Sequence, residues 1–190
     1  SAYISEQIWR QVVELKKVKP VVVSMGNVAA SGGYYISCAA NKIIAEPNTL
    51  TGSIGIFGMF PNASGLFGKL ALTTDIVKTN TFSDLGDLSR PMTESEKALI
   101  QGYVERGYQT FLSRCAEGRG MTTEAVNAIG QGRVWTGEQA KERGLVDELG
   151  GIELAISTAA GLADLDQYSV TTVSGSKNFL DEFLESQLGE

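Results

Sequence analysis

The pattern of apolar and polar positions predicts an α/β fold built from repeated βα units. Apolar side chains recur every three to four residues over 2–17 and 94–118, which predicts two amphipathic helices. Short β-branched runs at 21–25 and 42–45 predict buried strands. Because strands and helices alternate along the chain, we expect a mostly parallel sheet with flanking helices.

Weaker patterns predict the remaining elements. Further strands are predicted at residues 52–60, 74–78, 134–135 and 168–173, and further helices at 34–40, 63–72, 122–129, 151–162 and, as an amphipathic tail, 178–188. Residues 79–90 are polar and predict a long loop. Two capping-box patterns, which begin at Thr93 and Thr136, predict where two of the helices start.

The segment Ala29-Ala30-Ser31-Gly32-Gly33 lies between a predicted strand and a predicted helix. Its small residues allow a sharp turn and a close approach to the backbone. A serine in this position is placed much like a nucleophile elbow, with an exposed hydroxyl and outward-facing amides after it. Most serines in such turns only cap a helix, so this local pattern leaves a catalytic and a capping role open.

Composition and charge narrow the classes of function. The 190 residues fit one domain with a sizeable core, and 43% of them are hydrophobic and 20% charged. The net charge of −6 argues against a nucleic-acid partner. No apolar run is long enough to span a membrane, and the start has no signal-peptide pattern. The first residues already resemble a helix, so we expect a fragment of a longer chain.

The chain contains no histidine, which restricts the chemistry available to Ser31. A Ser-His-Asp triad, a Cys-His dyad and a histidine-ligated metal site are all excluded, and two cysteines alone cannot make a structural zinc site. A base for Ser31 must therefore be a lysine, a carboxylate or a residue from elsewhere. We predict no metal and no cofactor. Cys38 and Cys115 are expected to be buried free thiols.

Five ordered segments resemble the signal peptide peptidase family, also called SppA or protease IV. They are Met25-Gly26-x-x-Ala29-Ala30-Ser31-Gly32-Gly33-Tyr34-Tyr35-Ile36-Ser37, Thr49-Leu50-Thr51-Gly52-Ser53-Ile54-Gly55, Met92-Thr93, Gly118-Arg119-Gly120-Met121 and Gly132-Arg133-Val134-Trp135-Thr136-Gly137. The resemblance implies a ClpP/crotonase-like fold. It also implies a membrane-anchored serine peptidase that uses a Ser-Lys dyad to degrade released signal peptides.

The resemblance assigns roles to individual residues. It implies that Ser31 is the nucleophile and that the Gly32 amide donates to the oxyanion. A lysine could deprotonate Ser31 only if burial lowers its pKa from the ordinary value of about 10.4. The strand that would hold the substrate contains Ile54, Gly55, Ile56 and Phe57. These four residues could equally belong to the core.

Two parts of the family pattern are missing from this chain. The glycine pair that supplies the second oxyanion donor would precede Ser1. The loop at 79–90, where short members carry the dyad lysine, has Ser83 near that position and no lysine. The chain therefore resembles the C-terminal copy of a double-length member, whose N-terminal half supplies the lysine. On this interpretation the isolated fragment is inactive or nearly so.

Residues within the chain are weaker candidates for the base. Lys78 and Lys42 are the lysines considered, and both are expected to lie on the surface. Glu46 and Asp84 are weaker still as general bases.

The resemblance also implies partners and a location. Expected partners are the N-terminal half of the same protein, signal peptides and other hydrophobic peptides, and further copies in a ring, with the tail at 178–188 as a candidate contact. We expect an anchor outside this chain and a domain on the extracytoplasmic (periplasmic) side. Two alternatives remain: a crotonase-like acyl-CoA enzyme and a catalytically inactive assembly domain.

Overall fold

The computed structural model describes residues 1–173, which contain seven helices and six strands. The helices are α1 (Ala2–Lys16), α2 (Gly32–Ser37), α3 (Ser64–Lys69), α4 (Glu94–Arg119), α5 (Thr123–Ile129), α6 (Gly137–Glu142) and α7 (Ile152–Leu162). The strands are β1 (Val22–Met25), β2 (Val28–Ala30), β3 (Lys42–Ala45), β4 (Leu50–Gly52), β5 (Val134–Thr136) and β6 (Glu148–Leu149). The tail helix predicted at 178–188 lies outside the described residues.

The strands form two small sheets in which parallel pairing predominates. One sheet has the order β1-β3-β6, and both of its strand pairs are parallel. The other has the order β2-β4-β5, with β2 and β4 parallel and β5 antiparallel to β4. The predicted α/β fold of βα units with mostly parallel strands is therefore confirmed.

The core lies where α2 and α4 meet the first sheet. Tyr34 and Ile43 are fully buried in it, and the Tyr34 hydroxyl donates a hydrogen bond of 3.0 Å to the carbonyl of Leu145. Cys38 and Cys115 are buried free thiols, as predicted. This packing fixes α2, and α2 carries the Ser31 turn at its start.

Helix termini follow the capping patterns in the sequence. Thr93 and Glu96 form a reciprocal capping box at the start of α4, and Thr136 and Gln139 form another at the start of α6. α4 ends at Gly120, whose φ of 62° is left-handed and favours glycine. None of the helices within residues 1–173 is both long enough and apolar enough to cross a membrane.

Three strand predictions are wrong. No strand forms at 53–60, where the residues have no regular structure; β4 lies just before, at Leu50–Gly52. No strand forms at 74–78 or 168–173, and every residue in both segments is exposed. An alternating pattern yields a strand only where a neighbouring strand and a buried face are available. Conversely, β2 forms within the predicted turn segment because it pairs with β4.

Candidate active site

Ser31 is the single residue between β2 and α2, and its backbone is unusual. Its φ of 53° and ψ of −114° lie in a region that residues other than glycine rarely adopt. Its amide donates to the carbonyl of Gly52 in β4 at 2.9 Å, which holds the turn on the sheet. The residue is exposed, and its side chain makes no capping hydrogen bond to α2. An outlier of this kind at a strand-to-helix turn is typical of a nucleophile elbow.

Gly32 combines a close helix contact with an available amide. As the first residue of α2, it has no acceptor for its N–H within the helix. A Cβ at Gly32 would lie 2.9 Å from the Oγ of Ser5 in α1, so the missing side chain lets α1 approach. The Gly32 amide can therefore donate to an oxyanion formed at Ser31.

The segment after β4 is fixed against the segment before β5. The Ser53 amide donates to the carbonyl of Arg133 at 2.8 Å, and the Gly132 amide donates to the carbonyl of Ile54 at 2.8 Å. A Cβ at Gly55 would lie 2.8 Å from both the Cα and the N of Gly132, so glycine is required for this contact. Ala30, Gly52 and Val134 are paired across the sheet. These segments and Ser31 therefore lie at the same end of its strands.

Two cavities open beside Ser31. The first, here called the Glu105 cleft, has a volume of about 480 Å³. Its lining includes Ser31, Ser53, Gly55, Ile56, Phe57 and Glu105. The second, the Arg10 cleft, has a volume of about 410 Å³. Its lining includes Ser31, Gly32, Ile56, Glu6, Arg10 and Arg114. Gly55 and Ile56 line both of these spaces, and both spaces reach the candidate nucleophile.

An apolar groove continues from the Glu105 cleft. It has a volume of about 450 Å³, and Ile56 and Phe57 line both spaces. Its other walls include Phe60, Leu85, Leu99 and Val104. An extended apolar peptide that passes Ser31 could continue into this groove.

Three of the four predicted substrate-binding residues line the clefts, and the fourth is buried in the core. Gly55, Ile56 and Phe57 line the clefts beside Ser31. Ile54 is fully buried in the hydrophobic core, and it contributes its backbone carbonyl to the contact with Gly132. Its side chain therefore lies outside the cleft walls.

None of the candidate bases within the chain lines the clefts beside Ser31. The Nζ of Lys78 is 2.9 Å from Asp84, and the Nζ of Lys42 is 3.9 Å from Asp147. Neither lysine, nor Glu46 or Asp84, belongs to the lining of either cleft. Within residues 1–173, the two clefts have no lysine in their walls.

A charged hub, which no sequence pattern predicted, joins α1, α2 and α4. The carboxylate of Glu6 accepts hydrogen bonds from Tyr35 at 2.6 Å, Arg114 at 2.9 Å and Arg10 at 3.0 Å. Burial raises the pKa of Glu6, but these bonds together bring it below its usual value. Burial and the bond to Glu6 raise the pKa of Tyr35. No sequence signal joins these positions, because the contact depends on how three helices meet.

A tyrosine fixes the turn on the far side of the Glu105 cleft. The hydroxyl of Tyr108 donates to Asn127 at 2.7 Å and accepts from the amide of Gln131 at 2.9 Å. Gln131 has a φ of 58°, so this turn too has a left-handed backbone. The sequence showed Tyr108 only as an apolar position of a helix.

The sequence of this chain is similar to those of known proteins. A model of Peptidase family S49 matches residues 13–166. "Protease 4" of Salmonella typhi is 42% identical over 171 residues, which cover 90% of this chain and 28% of that protein. "Putative signal peptide peptidase SppA" of Enterococcus faecium is 37% identical over 188 residues, which cover 98% of this chain and 54% of that protein. "Serine protease SPPA, chloroplastic" of Arabidopsis thaliana is 38% identical over 165 residues, which cover 86% and 24%. The chain thus spans between a quarter and about half of these relatives.

Solved structures are also similar to this chain. A ClpP1 mutant from Listeria monocytogenes has a TM-score of 0.43 and 14% identity, with coverage of 82% of this chain and 89% of that chain. A putative enoyl-CoA hydratase/isomerase family protein from Hyphomonas neptunium has a TM-score of 0.40 and 19% identity, with coverage of 82% and 42%.

Proposed function

The chain belongs to peptidase family S49, and we propose that it is the nucleophile-bearing domain of a serine peptidase that degrades released signal peptides. The observation that carries this proposal is the backbone of Ser31, with its φ of 53° and its exposed, uncapped hydroxyl. A serine that served only as a helix cap would accept a hydrogen bond from a backbone amide of α2, and Ser31 does not. The strained backbone of Ser31 therefore favours another role.

In the proposed reaction the Ser31 Oγ attacks the peptide carbonyl and transfers its proton to a neutral lysine. The Gly32 amide donates to the oxyanion that forms. The lysine then protonates the leaving amine, and water hydrolyses the acyl-enzyme to release the acid and restore Ser31. Burial must lower the pKa of this lysine, because at its ordinary value it would stay protonated.

The lysine is proposed to come from a polypeptide segment outside this chain. The lining of both clefts beside Ser31 supports this, because it contains no lysine within residues 1–173. The coverage of Protease 4, at 28% of its length, leaves room in such a protein for a second domain that supplies the base. We place that domain in an N-terminal half that precedes Ser1.

Hydrophobic peptides are the proposed substrates. The apolar walls of the groove beyond Phe57 support this, since they can bury leucine-like side chains of an extended peptide. Signal peptides are rich in such side chains. We also propose self-association, and an anchor outside this chain that holds the domain at the extracytoplasmic face of a membrane.

Labelling with a serine-reactive fluorophosphonate tests the proposal. The reaction is run on this chain alone and on the same chain fused to the segment that precedes it, and labelled peptides are mapped. We expect labelling of Ser31 in the fusion and little or none in the isolated chain. The Ser31→Ala fusion is the matched control and should stay unlabelled at this position.

Each outcome separates the candidates. Labelling of Ser31 in the isolated chain would contradict a base from outside, and Lys78 would then be the first residue to mutate. Absence of labelling in both forms, with a probe shown to fit the cleft, would favour the inactive assembly domain. Binding of acyl-CoA in a titration would favour the crotonase-like alternative.

A further inference from the structure

We propose that Arg10 binds a carboxylate group of the bound peptide, about two residues from the bond that Ser31 attacks. The inference rests on the proposed peptidase function and adds a charge preference to it. Arg10 lies on α1 and shares the lining of the Arg10 cleft with Ser31 and Gly32. No step of the proposed reaction uses it.

The charges of the Arg10 cleft do not balance. Its charged lining residues are Glu6, Arg10 and Arg114. Both guanidinium groups share one carboxylate oxygen, since the Oε1 of Glu6 lies 3.0 Å from Arg10 and 2.9 Å from Arg114. Glu117 is 3.9 Å from Arg114, but it is outside the lining. The wall therefore carries one excess positive charge.

Of the two arginines, Arg10 has hydrogen-bond donors that are not used within the described residues. Arg114 bonds Glu6 through both Nε and Nη2 and stacks over Trp9 at 4.0 Å, so it is committed to the hub. Arg10 uses only Nε towards Glu6, and its two terminal nitrogens have no other partner in the part of the chain that the structure describes. Its side chain is 61% exposed. A planar fork of this kind matches a carboxylate.

The spacing along α1 sets the distance from Ser31. Gly32 faces Ser5, since a Cβ there would lie 2.9 Å from the Ser5 hydroxyl. Arg10 is five residues further along the helix, a rise of about 7.5 Å. An extended peptide advances about 3.3 Å per residue. If it runs along α1, its carboxylate falls about two residues from the attacked bond. Ile56 and Phe111 provide apolar walls along this cleft.

Two sources could supply the carboxylate. One is the free C-terminus of a short peptide that ends two residues beyond the bond. The other is an aspartate or glutamate side chain at a similar distance. The chemistry that Arg10 recognises is the same for both, so the experiment distinguishes them by peptide design.

Fluorescence anisotropy with the Ser31→Ala form of the 190-residue chain tests the inference. Three labelled peptides share one apolar sequence: one ends in a free carboxylate, one in an amide, and one in an amide with aspartate as its last residue. We expect a carboxylate peptide to bind about fivefold more tightly than the plain amide. Added salt should reduce this advantage.

Arg10→Gln should abolish the advantage, while Lys17→Gln should preserve it. Lys17 follows the same helix and its loss removes the same charge, but it pairs with Glu14 and lies outside the cleft lining. An advantage confined to the free C-terminus identifies that source, and one confined to the aspartate peptide identifies the side chain.

Equal binding of the three peptides, absence of any binding, or an advantage that survives Arg10→Gln would overturn the inference. Fluorophosphonate labelling of Ser31 is measured separately and does not depend on Arg10. Labelling without a carboxylate preference would reject only this inference. A carboxylate preference without labelling of the fusion would reject the peptidase and retain a peptide-binding site.

Discussion

The backbone of Ser31 sets this residue apart at the scale of single side chains. A residue other than glycine in such a region costs about 1–3 kcal/mol. The hydrogen bond from its amide to Gly52 holds the turn in this conformation. In this conformation Ser31 lines two clefts, so the strained residue is also the one that the proposed chemistry needs.

We expect Ser31→Gly to be more stable than Ser31→Ala by about 1 kcal/mol, because glycine adopts this conformation without strain. Both variants lack the hydroxyl, so their difference isolates the backbone. Urea unfolding of the two proteins measures it. Neither variant should be labelled at residue 31.

Ser113 provides the matched control. It is exposed and lies inside α4, where glycine should be less stable than alanine by about 1 kcal/mol. The Gly-minus-Ala difference should therefore have opposite signs at Ser31 and Ser113. The same sign at both positions would contradict backbone strain at Ser31.

The sequence predicted the candidate nucleophile but not its surroundings. Ser31 and Gly32 could be identified because a strand-to-helix turn and an ordered set of motifs are local signals. Glu6 and Arg114 are 108 residues apart. No local pattern could bring them together, because their contact depends on how α1 packs on α4.

At the scale of elements, α4 is fixed to the Ser31 helix by a close backbone contact. A Cβ at Gly118 would collide with the carbonyl oxygen of Cys38, at the end of α2. Gly118→Ala should therefore destabilise the protein by about 2 kcal/mol in urea unfolding. Gly102→Ala is the control in the same helix, since its Cβ would meet only the flexible end of Arg106.

Gly102→Ala should stabilise the protein by up to about 1 kcal/mol, because alanine has the higher helix propensity. Equal effects of the two substitutions would show that Gly118 does not mediate the contact between α2 and α4.

The start of α4 holds an ionic cluster around the buried Glu96. Arg90 lies 2.6 Å from Glu96 and 2.8 Å from Asp84, and the amide of Thr93 donates to Glu96 at 2.7 Å. The bond from Arg90 and then that from Thr93 lower the pKa of Glu96 from 4.5 to about 2. A carboxylate with a lowered pKa adds stability above its ordinary pKa, and this stability is lost as the pH falls towards the folded-state value.

The urea concentration at the unfolding midpoint should therefore decrease as the pH is lowered from 4.5 to 2. Glu96→Gln should make that decrease shallower. Some decrease should remain, because hydrogen bonds from Lys78 and Arg90 lower the pKa of Asp84 as well. Glu94→Gln, at an exposed carboxylate of the same turn, should leave the curve nearly unchanged. Parallel curves for Glu96→Gln and the parent would contradict this role.

The sequence predicted well those elements whose boundaries depend on neighbouring residues in the chain. Both capping boxes combine a side-chain acceptor with a helix start, so Thr93 and Thr136 give the boundaries directly. The strand expected at 74–78 had the right residue types but no partner, since pairing is decided elsewhere in the fold. The short β2 was hidden for the converse reason, because its pairing with β4 outweighs its turn-like composition.

At the scale of the whole molecule, the segment at residues 57–80 exposes many apolar side chains. Phe57, Met59 and Val77 are 89%, 81% and 97% exposed. Every residue from 71 to 80 is exposed. Exposed apolar side chains in such number are typical of an interface, and one of them, Phe57, lines the Glu105 cleft. A neighbouring domain or copy that covers them would reach the proposed site.

We therefore expect the chain to self-associate, and sedimentation velocity over a range of concentrations measures this. Val77→Asp should weaken association at least about tenfold, because it introduces a charge at the most exposed of these apolar side chains. Val18→Asp is the control: it makes the same change at an exposed valine after α1, away from this segment. A parent chain that stays monomeric at all concentrations, or an equal effect of both variants, would contradict an interface between copies. In that case we expect these apolar side chains to contact the domain proposed to supply the lysine. Fluorophosphonate labelling of the fusion should then decrease with Val77→Asp but not with Val18→Asp.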